Sequence, residues 1–279
     1  MWPITIQRVL IAVLCLIAVS GVAGVQAAPP RLWERWLASD PESTRQIDHG
    51  AWEAFLTRYV RIGSDNVHRV AYGQVTPADR KALDDYLLQL SSTPISKYNR
   101  TEQLAYWINL YNALTVRTVL GHYPIASIRD IDISPGQLIT GPWDVPMIEI
   151  EGQALSLNDI QNRILRPIWS DPRILYALSC AALGCPNLRP VPFTSDRLNH
   201  QLSQAAIAFI NDPRCIQMEG RQLVVSSLFR WYREDFGGSD RAVIHYLMGF
   251  AEPRLAMKLQ HFERIDGDVF DWRLNDATA

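Results

Sequence analysis

The chain has 279 residues, with 27 basic and 29 acidic side chains and a formal net charge of −2. That near-neutral balance, with no basic run, excludes nucleic-acid binding driven by charge. The length lies at the upper end for one domain, and no linker, low-complexity tract or internal repeat divides it, so one compact domain is expected.

Residues 1–27 read as a signal peptide. Arg8 is the only charge before Arg31, Val9–Val25 is almost wholly apolar, and Val25-Gln26-Ala27 supplies the small residues that signal peptidase reads. The apolar run is shorter than the roughly 20 residues that span a bilayer. Leu14 before Cys15 argues against a lipoprotein. The expectation is a periplasmic or secreted protein with no stable membrane span after cleavage. Residues 28–44 read as an N-terminal helical extension and 45–275 as the main domain.

Helix signals come first along the domain. Trp52, Phe55, Leu56 and Tyr59 form a helical stripe after Asp48. Thr76-Pro77-Ala78-Asp79 combines a capping hydroxyl, an early proline and an acid, and predicts a helix to about Leu90. The longest helix follows Asn99 and carries Leu104, Ile108, Tyr111, Thr115 and Val119 along one face. It ends at Gly121, with Pro124 beyond. Asn109 and Asn112, three apart, put two amides on one of its faces. His122 reads as a cap, because a cation suits that terminus.

A hairpin is then expected from Met147–Glu151, turning at Gly152-Gln153 and returning through Ala154–Leu157. Ser156-Leu157-Asn158-Asp159 reads as a capped helix start leading to Leu165. Ile174–Leu178 reads as a buried strand that ends at Ser179-Cys180. Leu198, Leu202, Ala205, Ala206, Phe209 and Ile210 define another amphipathic helix. Ile216–Met218 and Leu223–Val225 flank Glu219-Gly220-Arg221 as a second hairpin. With no regular βαβ alternation, the fold class is α+β: several helices on a small, mainly antiparallel sheet.

These blocks carry a family resemblance. Ala105–Leu114 (AYWINLYNAL), Tyr123–Ile128 (YPIASI) and Leu155–Ile160 with Ile164–Pro167 resemble the family called domain of unknown function 547 (DUF547), of exported bacterial type. The Cys180–Pro186 segment and Trp231–Gly238 continue the resemblance, which covers most of residues 45–275. The family brings no settled activity. Its fold is distantly similar to the papain and transglutaminase group, where a cysteine begins a central helix and a strand supplies a histidine. Two positions depart from that pattern. The central helix offers Asn109 and Asn112 in place of a cysteine. Where relatives often read Arg-Ile-His-Tyr, this chain has Arg173-Ile174-Leu175-Tyr176.

The candidate chemistry centres on Asp171–Pro190. Three cysteines follow the leader: Cys180, Cys185 and Cys215. In an oxidising compartment neighbouring thiols usually pair, which favours a Cys180–Cys185 disulfide; a pairing through Cys215 or a free catalytic Cys180 are the alternatives. A thiol nucleophile needs a partner to take its proton, and no histidine lies near Cys180 in sequence. The Cys-x4-Cys spacing lacks the partners of a zinc site, the six histidines are scattered, and no metal or cofactor is expected. Arg166, Arg173 and Arg189 bracket the segment as candidates to clamp a carboxylate or phosphate; arginines so placed also tie loops together or pair with acids such as Asp171. Asn109 and Asn112 either bond loop backbone or line a cleft as amide donors. Glu234 and Asp235 are adjacent and point different ways on a helix. Trp107 and Trp231 read as core, although nine tryptophans also suit a sugar platform.

Two functional readings follow. One is an exported, non-catalytic domain that binds a small anionic ligand, a peptide or an envelope partner in an Arg- and Asn-lined cleft. The other is a papain-like thiol hydrolase or acyltransferase using Cys180. The first is preferred, because Leu175 stands where a base would help.

Overall fold

The computed structural model describes residues 31–133 and 141–277. The expected signal peptide lies outside them. Residues 31–49 hold one 3-10 turn, Glu34–Leu37, in place of a helical extension. Four residues cannot sustain a helix alone. Trp36 instead anchors this segment, buried edge-on against Trp107 with 5.0 Å between ring centres. The segment is therefore part of the core.

Helix α1, Gly50–Tyr59, buries its predicted stripe of Trp52, Phe55, Leu56 and Tyr59. It leads into an antiparallel hairpin of β1, Val60–Ile62, and β2, His68–Val70. Helix α2, Pro77–Ser91, starts as expected: the Thr76 side chain accepts the Asp79 N–H, with proline in the first turn. Helix α3, Arg100–His122, is capped by Asn99, whose side chain accepts the Glu102 N–H. At its far end His122 Nδ1 lies 2.9 Å from the Thr118 carbonyl, the expected cap. Eighteen of its 23 residues are buried, which makes α3 the central helix. Every polar side chain on it then needs a partner.

His49, just ahead of α1, is buried, and its Nδ1 sits 2.7 Å from the Tyr86 hydroxyl. Burial pushes its pKa down to about 4, against a smaller opposing pull from Asp48. In the unfolded chain the same imidazole takes its proton near 6.5. The unfolded state therefore binds more protons between those values, and stability falls as pH drops through that window. The expected loss is about 3 kcal/mol between pH 7 and pH 4 from this group. Urea melts across that range should show a flatter pH dependence for His49→Gln than for wild type. Parallel pH profiles would refute the assignment.

Strands β3, Ile148–Ile150, and β4, Gln153–Leu155, pair antiparallel. Their turn falls on Glu151-Gly152, one residue earlier than expected, and is of type I′, which needs positive φ at both central positions. Glu151 (φ 46°) and Gly152 (φ 76°) supply it. The next helix starts as predicted: Ser156 and Asp159 cap one another, with Asp159 N–H to Ser156 Oγ at 3.1 Å and Ser156 N–H to Asp159 Oδ2 at 3.0 Å. Asp159–Leu165 is nevertheless a π-helix, which tightens into α4, Arg166–Trp169.

A second correction concerns the apolar run after α4. Pro172–Tyr176 is a 3-10 helix rather than a strand. The Asp171 carboxylate accepts the Arg173 N–H and Pro172 opens the turn, a helical start that outweighs the apolar composition. A short apolar run fits either structure until its flanks decide.

Helix α5, Leu198–Ile210, precedes β5, Ile216–Glu219, and β6, Gln222–Ser226, the predicted hairpin. The short α6, Leu228–Trp231, is followed by α7, Asp240–Phe250, and α8, Pro253–Leu259. β7, Gly267–Val269, then adds parallel to β6. The main hydrophobic cluster surrounds α3, and a second one joins α5, β5, β6 and α7. Residues 172–178 form the seam, with Ile174 in the first cluster and Leu175 and Tyr176 in the second.

The C-terminal tail closes the molecule. Leu274 N–H donates to the Ala126 carbonyl, Asn275 N–H to Ala181, and Val70 N–H to the Asn275 carbonyl. Together these elements make one α+β domain. Among the described residues no helix is long and apolar enough to cross a membrane.

Candidate functional site

Asn109 and Asn112 project from α3 into the two loops that flank the cysteines. Asn112 Nδ2 donates to the Ala177 carbonyl at 2.9 Å, and its Oδ1 accepts the Ser179 N–H at 2.8 Å. Asn109 does the same to one residue: Nδ2 to the Phe193 carbonyl at 2.7 Å, Oδ1 from the Phe193 N–H at 3.0 Å. Both amides are buried and use donor and acceptor on backbone. They position loops, and their dipoles are already spent. A cavity of about 440 Å³ lies elsewhere, between α2, α3 and β3, and takes in none of these residues.

Ser179 leads into the cysteine loop. Cys180 and Cys185 form a disulfide with 5.8 Å between Cα atoms, within the range such a bond requires. Cys215 is free and buried. Ala181 occupies the left-handed region, φ 60°, which a residue with a Cβ adopts at a cost. The tail holds the loop in place: Leu183 N–H donates to the Arg273 carbonyl and Gly184 N–H to Asp271. A Cβ on Gly184 would come within 2.7 Å of the Asp271 nitrogen, so the tail can approach only a glycine. With its sulfur bonded, Cys180 is not a nucleophile in this form. Leu175, at the position of the missing histidine, is buried in the second hydrophobic cluster.

Closing so short a loop removes a modest amount of chain entropy, about 2 kcal/mol by the loop-length relation. Reductant, Cys180→Ser and Cys185→Ser should each lower stability by that amount, read as a shift of the thermal melt. A melt indifferent to reductant would show that the bond contributes nothing.

The three arginines are engaged differently. Arg166 is buried and grips Asp235 through two bonds, Nε to Oδ2 at 2.6 Å and a terminal nitrogen to Oδ1 at 2.7 Å. It also donates to Asn162 Oδ1 at 2.9 Å, and its Cζ lies 4.7 Å from the centre of the Tyr232 ring. Arg173 pairs with Asp171 at 2.7 Å and donates to Asn199 Oδ1 and Ser203 Oγ. Both are structural clasps. Arg189 is half-buried, its Cζ lies 5.7 Å from the centre of the Phe193 ring, and its Nε is buried without a hydrogen-bond partner. No carboxylate pairs with it among the described residues.

The surroundings of Arg189 were not marked by any motif. His68, on β2, holds the neighbouring backbone: its Nδ1 lies 2.7 Å from the Leu188 carbonyl, and its own N–H donates to Asn187 Oδ1 at 3.1 Å. Arg214 donates to the Leu183 carbonyl at 2.7 Å and to Asn187 Oδ1 at 3.0 Å, with Asp212 as its acid at 2.8 Å. Burial lowers the Arg189 pKa, and the Arg197 charge lowers it further. Burial likewise lowers that of His68, with Arg214 and Arg189 adding to it against the Leu188 hydrogen bond. This corner is electropositive. Asp-x-Arg at 212–214 was a readable local pair, but its distance from Asn187 in sequence hid the rest.

The molecule thus belongs to the class of α+β domains whose central helix carries polar side chains that clamp two loops. Residues 95–210 match the family model described as "Protein of unknown function, DUF547", which supports the family read from the motifs. None of the curated proteins and none of the solved structures matched the chain. Among the described residues no group of three or more His, Cys, Asp or Glu side chains is arranged to hold a metal ion.

Proposed function

We propose that this domain binds a small anionic ligand, bearing a carboxylate, sulfate or phosphate group, at the loop that carries Arg189. One observation carries the reading: a half-buried guanidinium that no acid neutralises among the described residues. A buried or half-buried charge normally has a counter-ion, because desolvating it unpaired is costly. Arg166 and Arg173 have theirs in Asp235 and Asp171. Arg189 presents a planar fork of donors of the kind that takes an oxyanion bidentately. Phe193 beneath it, fixed at both backbone groups by Asn109, limits how the guanidinium can turn. Residues 1–27, read as a signal peptide, support an exported location, where a small solute or an acidic group of an envelope partner would be the ligand.

Thermal melts in sodium sulfate and in sodium chloride of matched ionic strength test the reading. Sulfate should stabilise wild type beyond chloride, by about 2.7 kcal/mol at a hundred times the dissociation constant. Arg189→Gln should show no difference between the salts. Equal sulfate effects on the two proteins would sink the proposal.

A further inference from the structure

We propose that His68 is a second, proton-dependent member of the Arg189 anion site, so that taking up the anion and protonating His68 favour one another. The inference rests on the reading of Arg189 given above. It comes from the way the imidazole is held. Its Nδ1 faces the Leu188 carbonyl at 2.7 Å, and a carbonyl can only accept, so Nδ1 carries the proton. Nε2 then holds the lone pair. Leu188 is the residue before Arg189, and the same histidine fixes Asn187 through its backbone N–H. The ring therefore braces the backbone beside the unpaired guanidinium, with a titratable nitrogen left over.

The groups around this ring are mainly cationic. Arg189 in the loop and Arg214 in the turn before β5, the latter partly neutralised by Asp212, both act on it as like charges. Its strand neighbour Arg69 is paired with Asp65 at 2.7 Å. With Arg189 unneutralised, a proton on Nε2 meets a like charge. An oxyanion bound to Arg189 removes that opposition and gives the new Nε2–H an acceptor. By reciprocity, whatever factor the anion adds to proton affinity the proton adds to anion affinity. A neighbouring opposite charge typically favours the charged form of a titrating group by about one pKa unit or more, so a coupling of about tenfold is expected.

Sulfate is the probe of choice, because it does not change charge between pH 5 and 8. Calorimetric titration of the full protein should show sulfate affinity rising several-fold, up to about tenfold, from pH 7.5 to pH 5.5. His68→Gln should bind sulfate with the same affinity at both values, and Arg189→Gln should bind at neither. Histidine NMR titrations supply a readout that needs no ligand. The His68 pKa should rise in Arg189→Gln, stay near wild type in Arg189→Lys, and rise in wild type when sulfate is added. Sulfate binding independent of pH, with an unmoved His68 pKa, overturns the coupling and leaves the Arg189 site standing. Absence of sulfate binding at both pH values overturns the Arg189 reading itself. An unchanged His68 pKa in Arg189→Gln would then show that the two groups do not interact.

Discussion

Asp235→Ala is expected to destabilise the domain by about 3–5 kcal/mol, the range found when one partner of a buried ion pair is removed. The Arg166 side chain is 4% exposed and that of Asp235 14%. Deleting the carboxylate removes the acid that neutralises a buried guanidinium, which lies beside the Tyr232 ring and also donates to Asn162. Arg166 also marks the point where the π-helix Asp159–Leu165 gives way to α4, so its loss of footing reaches the helix that packs on α3. Gln161, one turn earlier, donates to the Tyr232 hydroxyl at 2.7 Å and belongs to the same network. Urea denaturation of Asp235→Ala, Arg166→Met and the double variant separates the cases. The two single changes should each be severe, and the double variant should lose less than their sum, because it buries no unpaired charge. Strict additivity would show that the pair is not coupled.

The parts of this fold that could be read from the sequence are those set by neighbours in the chain. Thr76, Asn99 and Ser156 announced helix starts because each side chain bonds a backbone N–H three residues on. The cysteine pair was legible for the same reason, being five positions apart. Asp171 and Arg173, two apart, were also visible as a possible pair. The Asp235 partner of Arg166 lies 69 positions away, and nothing local singles it out. His68 and Asn187 are separated by 119 positions. The 3-10 segment at Pro172–Tyr176 was misread because Ile174, Leu175 and Tyr176 are all buried, as strand residues would be, but in two different clusters. An alternation test has no purchase where both faces are covered. Trp36 was read as part of an outlying helix, although its burial against Trp107 depends on a helix that starts more than sixty residues later.

Asn112→Ala should cost about 4 kcal/mol, more than any surface change in the molecule. The substitution removes two hydrogen bonds at once and leaves the Ala177 carbonyl and the Ser179 N–H without their side-chain partner inside the domain. Each buried group left unsatisfied costs about 1–3 kcal/mol. Residues 177–179 have few other ways to satisfy these groups, because they lie between the 3-10 helix and the disulfide loop and belong to no strand. Asn112→Leu fills the volume and should fare no better, since the deficit is polar. Asn112→Asp keeps the acceptor for Ser179 but sets a carboxylate against the Ala177 carbonyl, and so should also fold poorly. Asn109→Ala makes the matching change at Phe193, the ring beneath Arg189. It should therefore weaken sulfate binding as well as stability, whereas Asn112→Ala, measured under conditions where it remains folded, should spare the anion site. Amide exchange at Ser179 and Phe193 reports the two loops separately. Loss of protection at Ser179 alone in Asn112→Ala, and at Phe193 alone in Asn109→Ala, is the expected pattern. Retained protection at Ser179 in Asn112→Ala would show that something other than this amide holds the loop.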